Sequence, residues 1–230
     1  FVTESFRLSQ VRFFIVIFKV IVKNIEVIVV DDSPAAYEGR ADITEKMTAL
    51  ATGNPKVRYL VNETNLGGSL ARNRGISEAA GQYVTFLDDD DEYLPEKIAH
   101  QVAFMEKEQC DLSFEDMTMY NSKGEVVDVR EYTDIKSFDN DYLLRYHLMR
   151  HMTGTPTFMF AIDKLREVGG FDDAKMGQEF RLMLKCIRAG LSIRYYPVCD
   201  VRIYKHPDGG ITSGKNKITG EKALYAFKKT

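Results

Sequence analysis

The chain has 230 residues, of which 44% are hydrophobic and 28% are charged, and its net charge is −3. This composition is typical of a folded globular protein with a sizeable core, and it excludes a disordered chain. The slightly acidic balance gives no overall reason to expect nucleic acid as a partner.

The first predicted element is an apolar run over residues 11–22, interrupted by Arg12 and Lys19. It is shorter than the roughly 20 residues that span a bilayer and lacks a small-residue cleavage site, so we expect neither a membrane span nor a signal peptide. A buried element is the expectation. The β-branched residues favour a strand, whereas the position before another strand favours a helix, and both alternatives stay open.

Two later hydrophobic runs end in acidic residues. Residues 25–32 read IEVIVVDD and residues 83–91 read YVTFLDDDD. Short β-branched runs are typical of buried parallel strands, and open parallel sheets bind ligands at the carboxyl ends of their strands. We therefore expect both acid clusters along one edge of one sheet. Because adjacent carboxylates repel unless a cation offsets them, residues 88–91 predict a divalent cation site, with a solvated acidic turn as the alternative.

Strands and helices alternate around these runs. We expect helices over residues 38–50 and 69–80, a strand over residues 57–61 and a further helix beginning near Pro95. This alternation predicts an α/β fold with a mostly parallel, doubly wound sheet flanked by helices. No Pro/Gly-rich linker interrupts the chain, so a single domain over residues 1–230 is expected.

The pattern loosens after residue 110, where elements are shorter. The expected elements are strands at 112–114, 157–162 and 192–196, two extended pieces around a turn at 121–124, and helices at 134–151 and 179–189.

Several positions could carry chemistry. The loop NLGGS at residues 65–69 could bring backbone N–H groups to an anion at a helix N-terminus. Arg72 and Arg74 could add positive charge there, although surface arginines are more often solvated or paired. Glu179 could offset a helix dipole or act as a general base. His206 lies in a loop that could contact a metal or phosphate or be structural.

The tail over residues 215–230 contains five lysines and one acid, Glu221. It predicts a solvated terminal helix, and the alternative is weak peripheral association with the anionic inner face of a membrane. The cysteines Cys110, Cys186 and Cys199 are odd in number and lack metal-site spacing, which favours reduced thiols in a cytoplasmic protein.

Residues 23–213 resemble the family 2 glycosyltransferases of GT-A fold. Several segments are similar to motifs of that family and follow in the same order. They read KNIEVIVVDDS (23–33), NLGGSLARNRG (65–75), FLDDDDEYLP (86–95), GGFD (169–172), GQEFRLMLK (177–185) and YKHP (204–207).

The resemblance implies an inverting enzyme that moves a sugar from a nucleotide-diphosphate donor, expected to be a UDP-sugar, to a hydroxyl of a glycan or lipid-linked acceptor. Residues 1–109 would form the nucleotide-binding half and residues 110–214 the acceptor-binding half. Asp31 and Asp32 would lie in the motif that holds the nucleotide base, with Asp32 on the base itself. Asn65 and Gly67 would also belong to the donor site.

The resemblance also implies roles near the diphosphate. Asp89 would contact the ribose. Asp90 would coordinate Mn²⁺ or Mg²⁺, with Asp88 beside it, and His206 would lie in the late loop near the metal. Glu179 occupies the position of the family's catalytic aspartate, which makes it the candidate general base.

Two departures motivate alternatives. The family pair Glu-Asp is here Gln178 and Glu179, so the base is one methylene longer. The family's first strand ends in a P-T-Y-N-like turn that forms one wall of the nucleotide site, and residues 1–6 do not match it. A non-catalytic nucleotide-sugar-binding protein is therefore one alternative. A phosphoacceptor receiver-type domain is another, although this chain is much longer than one.

Overall fold

The computed structural model describes residues 13–20, 24–205, 218, 222 and 224–228. Within these residues, the strands are β1 (Phe13–Val20), β2 (Asn24–Asp31), β3 (Val57–Val61), β4 (Tyr83–Asp88), β5 (Glu92–Tyr93), β6 (Leu112–Glu115), β7 (Met117–Asn121), β8 (Val126–Arg130), β9 (Met159–Ala161), β10 (Ile193–Tyr196) and β11 (Val201–Lys205). The helices are α1 (Arg40–Gly53), α2 (Gly68–Glu78), α3 (Lys97–Glu108), α4 (Asn140–Arg150), α5 (Ile162–Glu167) and α6 (Gln178–Arg188).

In the described part of the chain, a seven-stranded sheet has the order β10-β6-β9-β4-β1-β2-β3. The strands β2, β3, β4, β6 and β10 run in one direction, and β1 and β9 run in the other. The predicted α/β architecture is therefore confirmed, and five of the seven strands run in one direction. The two reversed strands make most neighbouring pairs antiparallel, which the alternation of strands and helices did not predict.

The apolar run at the N-terminus forms a strand and not a helix. β1 pairs antiparallel with β2 on one side and with β4 on the other. It therefore separates the two acid-ending strands, and pairing on both sides satisfies its backbone hydrogen bonds.

Alternate residues of the central strands pack on opposite faces. On one face, Ile28 and Phe86 join the main core, where the Phe86 ring meets the Phe171 ring edge-on at 5.2 Å. On the other face, Val29 packs with Ile43 of α1. Burying one such side chain stabilises the fold by roughly 1.5–3 kcal/mol. Packing on both faces therefore fixes the position of β2 and β4, whose ends carry the acidic residues.

A smaller sheet with the order β5-β11-β7-β8 was not predicted as a unit. The hairpin of β7 and β8 around residues 121–124 matches the expected extended pieces. β5, β11 and α5 were missed because they are short and β5 and β11 depend on pairing with distant strands. The strand expected at 157–162 is only β9, because Pro156 lies in a short 3-10 turn before it. The helix expected at 134–151 begins later, where the Asp139 side chain accepts from two backbone N–H groups of the first turn.

The described tail residues, 218, 222 and 224–228, are helical, and the last of these segments packs on α6. Leu224 is buried beside Phe180 and Leu184, so this segment is not simply solvated. No helix among the described residues is long and apolar enough to cross a membrane. All three cysteines are free thiols.

Candidate functional site

The two acid clusters lie at one edge of the large sheet. Asp31 ends β2 and Asp88 ends β4, and they oppose Phe13 and Phe14 of the intervening β1. Two strand spacings place their backbones roughly 10 Å apart. The prediction of a shared edge is therefore confirmed, because β2 and β4 run in the same direction.

Asp31 is fully buried and held by its neighbours. One carboxylate oxygen accepts from the backbone N–H of Ser33 at 2.9 Å and from the Ser33 hydroxyl. The other accepts from the Tyr59 hydroxyl at 2.5 Å. Burial, followed by this bond to a carboxylate, raises the pKa of Tyr59. Asp31 thus ties the end of β2 to β3.

Asp32 organises the loop between β3 and α2. Its Oδ1 accepts from Asn62 Nδ2 at 2.7 Å and from the Leu66 N–H at 2.8 Å, and its Oδ2 accepts from the Gly67 N–H at 2.8 Å. Asn65 donates to the Asp32 carbonyl at 2.5 Å. Gly67 has φ +85°, a left-handed conformation that glycine adopts without strain. Asp32, Asn65 and Gly67 are therefore brought together as predicted, but the loop N–H groups point at the Asp32 carboxylate.

Residues 88–91 form a turn in which the Asp91 N–H donates to the Asp88 carbonyl at 3.1 Å. Asp90 is exposed, and Asp91 accepts from the Tyr204 N–H at 3.1 Å. Burial, then the charges of Asp88 and Asp90, raises the pKa of Asp91 well above its usual range. Mutual repulsion of this kind is what a bound cation relieves.

The donor set of this turn fits Mn²⁺ or Mg²⁺, which prefer carboxylate oxygens. Within the described residues, no three His, Cys, Asp or Glu side chains form a preformed metal site. A cation at the turn would therefore need further ligands from phosphate or water, as Mg²⁺ commonly takes. His206 lies outside the described residues.

Arg72 connects this turn to α6. Its Nη2 donates to Asp88 Oδ1 at 2.6 Å, and its Nη1 donates to Gln178 Oε1 at 2.8 Å. The side chain is 5% exposed. Arg74 instead donates to the Val61 carbonyl at 2.8 Å. Arg72 therefore forms an ion pair with Asp88, and Arg74 is hydrogen-bonded to a backbone carbonyl. The connection that Arg72 makes between Asp88 and Gln178 was not predicted.

Glu179 lies in the first turn of α6, after Gly177 in a left-handed conformation. It is half-buried, and its Oε1 accepts from the Thr155 hydroxyl at 2.7 Å. Successive helical residues point about 100° apart, so Gln178 reaches Arg72 while Glu179 reaches Thr155. Thr155 was missed, because nothing in its local sequence marks it.

Two buried ionisable side chains, Lys97 and Glu115, were also missed. Lys97 donates to the Thr85 hydroxyl at 3.1 Å, and burial lowers its pKa to about 8. Burial raises the pKa of Glu115 to about 8. The sequence shows these residues only as ordinary members of α3 and β6.

The glycosyl transferase family 2 model matches residues 16–165. The chain belongs to this family, and the resemblance seen in its motifs is confirmed. The assignment favours a glycosyltransferase over a phosphoacceptor domain.

Two curated relatives illustrate the similarity. The putative colanic acid biosynthesis glycosyl transferase WcaA of Escherichia coli K12 is 27% identical over 208 residues, which cover 88% of this chain and 70% of WcaA. The UDP-Glc:alpha-D-GlcNAc-diphosphoundecaprenol beta-1,3-glucosyltransferase WfaP of Escherichia coli is 35% identical over 92 residues, covering 40% of this chain and 34% of WfaP. Three other glycosyltransferase relatives are covered over only 16% to 27% of their length. Activities of the whole relatives therefore do not transfer to this chain by similarity alone.

Among solved structures, residues 1–349 of TarS from S. aureus with UDP-GlcNAc superpose with a TM-score of 0.60 and 21% identity. The match covers 82% of this chain and 52% of that one. At this identity the similarity establishes the fold alone, and the predicted GT-A class is confirmed.

Proposed function

We propose that this chain is the sugar-transfer unit of a metal-dependent, inverting glycosyltransferase with a UDP-sugar donor. The observation that carries the proposal is the junction made by Arg72, which joins the acidic turn at the end of β4 to the start of α6. The acidic turn, as the candidate cation site, and Glu179, as the candidate base, are thereby connected through one side chain. The names of WfaP and of the TarS complex support a UDP-sugar as the donor class.

In this proposal, Asp90 would hold the cation on the donor diphosphate, with Asp88 beside it, and Asp89 would contact the ribose. Bound Mn²⁺ or Mg²⁺ would offset the negative charge that develops on the departing diphosphate. The exposure of Asp90 supports this role, because a side chain that reaches solvent can reach a ligand. A role for His206 at the metal stays a prediction.

Glu179 is the proposed general base. It takes the proton of the acceptor hydroxyl, and the acceptor oxygen forms a bond to the anomeric carbon as the bond to the diphosphate oxygen breaks. The bonding electron pair leaves with UDP, and the configuration at the anomeric carbon inverts. The Thr155 hydroxyl holds Oε1 of Glu179, which orients Oε2 for the proton transfer.

The nucleotide would bind along the edge formed by Asp31, Asp32 and the loop with Asn65 and Gly67. Both oxygens of Asp32 accept hydrogen bonds from this loop. Asp32 is also fully buried, so a direct contact between Asp32 and the base requires this loop to move. The acceptor, a glycan or lipid-linked sugar, would approach from residues 110–214. Peripheral attachment of the lysine-rich tail to a cytoplasmic membrane face remains part of the proposal.

Calorimetry with UDP, with and without Mn²⁺, tests the metal site. Asp90→Ala should abolish the Mn²⁺-dependent part of UDP binding, whereas exposed Glu45→Ala should leave it unchanged. Unaltered UDP affinity of the Asp90 variant would reject the metal role.

Transfer assays test the base. Glu179→Gln should bind UDP with parental affinity and lose transfer by about 100-fold or more, within the range of general-base effects. Full turnover by this variant would reject the assignment. UDP binding by the parent protein with no transfer to any glycan or lipid-linked acceptor would favour the non-catalytic alternative.

A further inference from the structure

One buried guanidinium contacts two separate elements of the candidate site. Arg72 projects from α2 and binds Asp88 at the end of β4 and Gln178 at the start of α6. The Phe171 ring lies 5.4 Å from its guanidinium carbon. One partner of Arg72, Gln178, directly precedes the proposed base Glu179 in the sequence. The other partner, Asp88, is the first residue of the acidic turn.

The geometry of these contacts depends on arginine. The planar guanidinium presents donors in a fixed fork, so two partners can be held at a set separation. A lysine carries one charged nitrogen on a flexible stem and could satisfy Asp88 or Gln178, but not both in this arrangement. Because the group is buried, each partner left without its donor is destabilised locally.

Asn73, the residue next to Arg72, connects α2 to the segment before α6 by hydrogen bonds from its side chain to the backbone of Phe171. Asn73 Nδ2 donates to the Phe171 carbonyl at 2.7 Å, and its Oδ1 accepts from the Phe171 N–H at 2.8 Å. Gly170 has φ +61°, and a Cβ there would overlap the Asn73 side chain. The turn before α6 is therefore held against α2, which leaves Arg72 to set the position of the first turn of α6.

The geometry points to Arg72 as a positioning residue that sets the separation between the acidic turn and Glu179. The inference rests on the proposed function for its kinetic consequence. Arg72 acts through Asp88 and Gln178 and need not touch either substrate. A displacement of about 1 Å of a catalytic group can lower a rate by about 100-fold, so the effect should fall on the chemical step.

Arg72→Lys is the first test, and Arg166→Lys is its matched control. Arg166 anchors the other end of α2, where it donates to the Ile76 and Ala79 carbonyls at 2.7 Å. We expect Arg72→Lys to lower kcat by about 10-fold to 100-fold with the donor KM changed less than about threefold. Arg166→Lys should leave kcat at the parental value.

A second readout does not depend on activity. Hydrogen exchange should become faster at the backbone amides of the first turn of α6 in Arg72→Lys and remain parental in Arg166→Lys. If Arg72→Lys fails to fold, Gln178→Ala removes the other end of the bridge and should give the same split between kcat and KM.

Parental kcat and parental exchange in both Arg72→Lys and Gln178→Ala would overturn the inference. A loss expressed only as a higher donor KM would also overturn it, because that result would place Arg72 in donor binding. If the parent protein transfers no sugar but the exchange difference is present, the proposed function fails and the positioning role stands.

Discussion

The acid pair after β2 and the acidic turn after β4 lie at the same sheet edge, but different partners surround them. Every carboxylate oxygen of Asp31 and Asp32 accepts at least one hydrogen bond, and both side chains are fully buried. In the turn at residues 88–91, Asp90 is exposed and Asp91 has a raised pKa. The first cluster is therefore satisfied within the protein, whereas in the second burial, and then the charges of Asp88 and Asp90, raise the pKa of Asp91.

The same sequence pattern thus marks two physical situations. An apolar run that ends in aspartates predicts where the acids lie, since both strands end at one edge. It does not predict which acids find donors. Hydrogen-bonded burial supports a stabilising role for Asp32, while the exposure of Asp90 and the like charges around it fit the cation site that we propose for the acidic turn.

The largest expected effect is at Asp32. In Asp32→Asn, one oxygen becomes an amide nitrogen that faces the N–H of Leu66 or Gly67, or the amide of Asn62. A buried donor left without an acceptor costs about 1–3 kcal/mol, and at least one such donor is created together with a donor–donor contact. We expect the free energy of unfolding to fall by about 4 kcal/mol, measured by urea denaturation.

Asn65→Ala is the companion variant, because it removes one donor to the Asp32 carbonyl and leaves the carboxylate intact. It should lose about 1 kcal/mol. A parental unfolding free energy for Asp32→Asn would mean that the loop donors find other partners, and the contrast between the clusters would fail.

The buried imidazole of His147 extends the comparison of the two acid clusters to a titratable group that is buried in its neutral form. His147 is fully buried, with Nδ1 accepting from the Met152 N–H at 3.1 Å and Nε2 paired with the Phe180 carbonyl at 3.0 Å. Burial lowers the pKa of His147 to about 4. Between pH 6.5 and pH 4 the unfolded chain binds a proton at His147 and the folded protein does not, so stability falls as the pH falls.

Over this window the contribution of His147 amounts to about 3 kcal/mol. The measurement is urea denaturation of the parent and of His147→Gln at pH 7 and pH 4.5. Their difference cancels the titration of other groups, including Glu115, whose raised pKa acts in the opposite direction. Parallel pH profiles for the two proteins would contradict a neutral, buried His147.

A smaller loss of stability is expected at Tyr59, whose hydroxyl donates to Asp31 of the first cluster. Tyr59→Phe removes the hydroxyl that donates to Asp31 and leaves the two Ser33 donors in place. The loss should be about 1 kcal/mol, the usual value for one hydrogen bond, measured as a shift in the urea midpoint. A loss as large as that of Asp32→Asn would mean that Asp31 depends on this one donor.

The parts of the fold that were predictable have local signals. β2, β3 and β4 are apolar or β-branched runs, and α2 and α3 follow strands at loops containing Gly67 and Pro95. The direction of β1 was not predictable, because an apolar run pairs equally well either way until its neighbours are known. β5 has two residues and exists only through its pairing with β11.

For the candidate site, the sequence predicted only which edge of the sheet carries the acidic residues. Strand ends placed Asp31, Asp32 and residues 88–91 together. The bond between Arg72 and Gln178 joins residues 106 positions apart, and no periodicity reports such a contact. For the same reason, the three donors to the Asp32 carboxylate could not be assigned from the sequence, since two of them are backbone N–H groups set by the fold.

The smallest stability change is expected at Asp90, where it separates the clusters most clearly. Asp90→Asn removes one charge from an exposed position among like charges, so the free energy of unfolding without metal should change by less than about 0.5 kcal/mol. Relief of repulsion favours a slight gain that shrinks as salt screens the charges. Urea denaturation at 20 mM and 500 mM salt measures this directly. A loss of several kcal/mol would show that Asp90 holds the fold as Asp32 does, and the assignment of the turn to a ligand would then lose its physical basis.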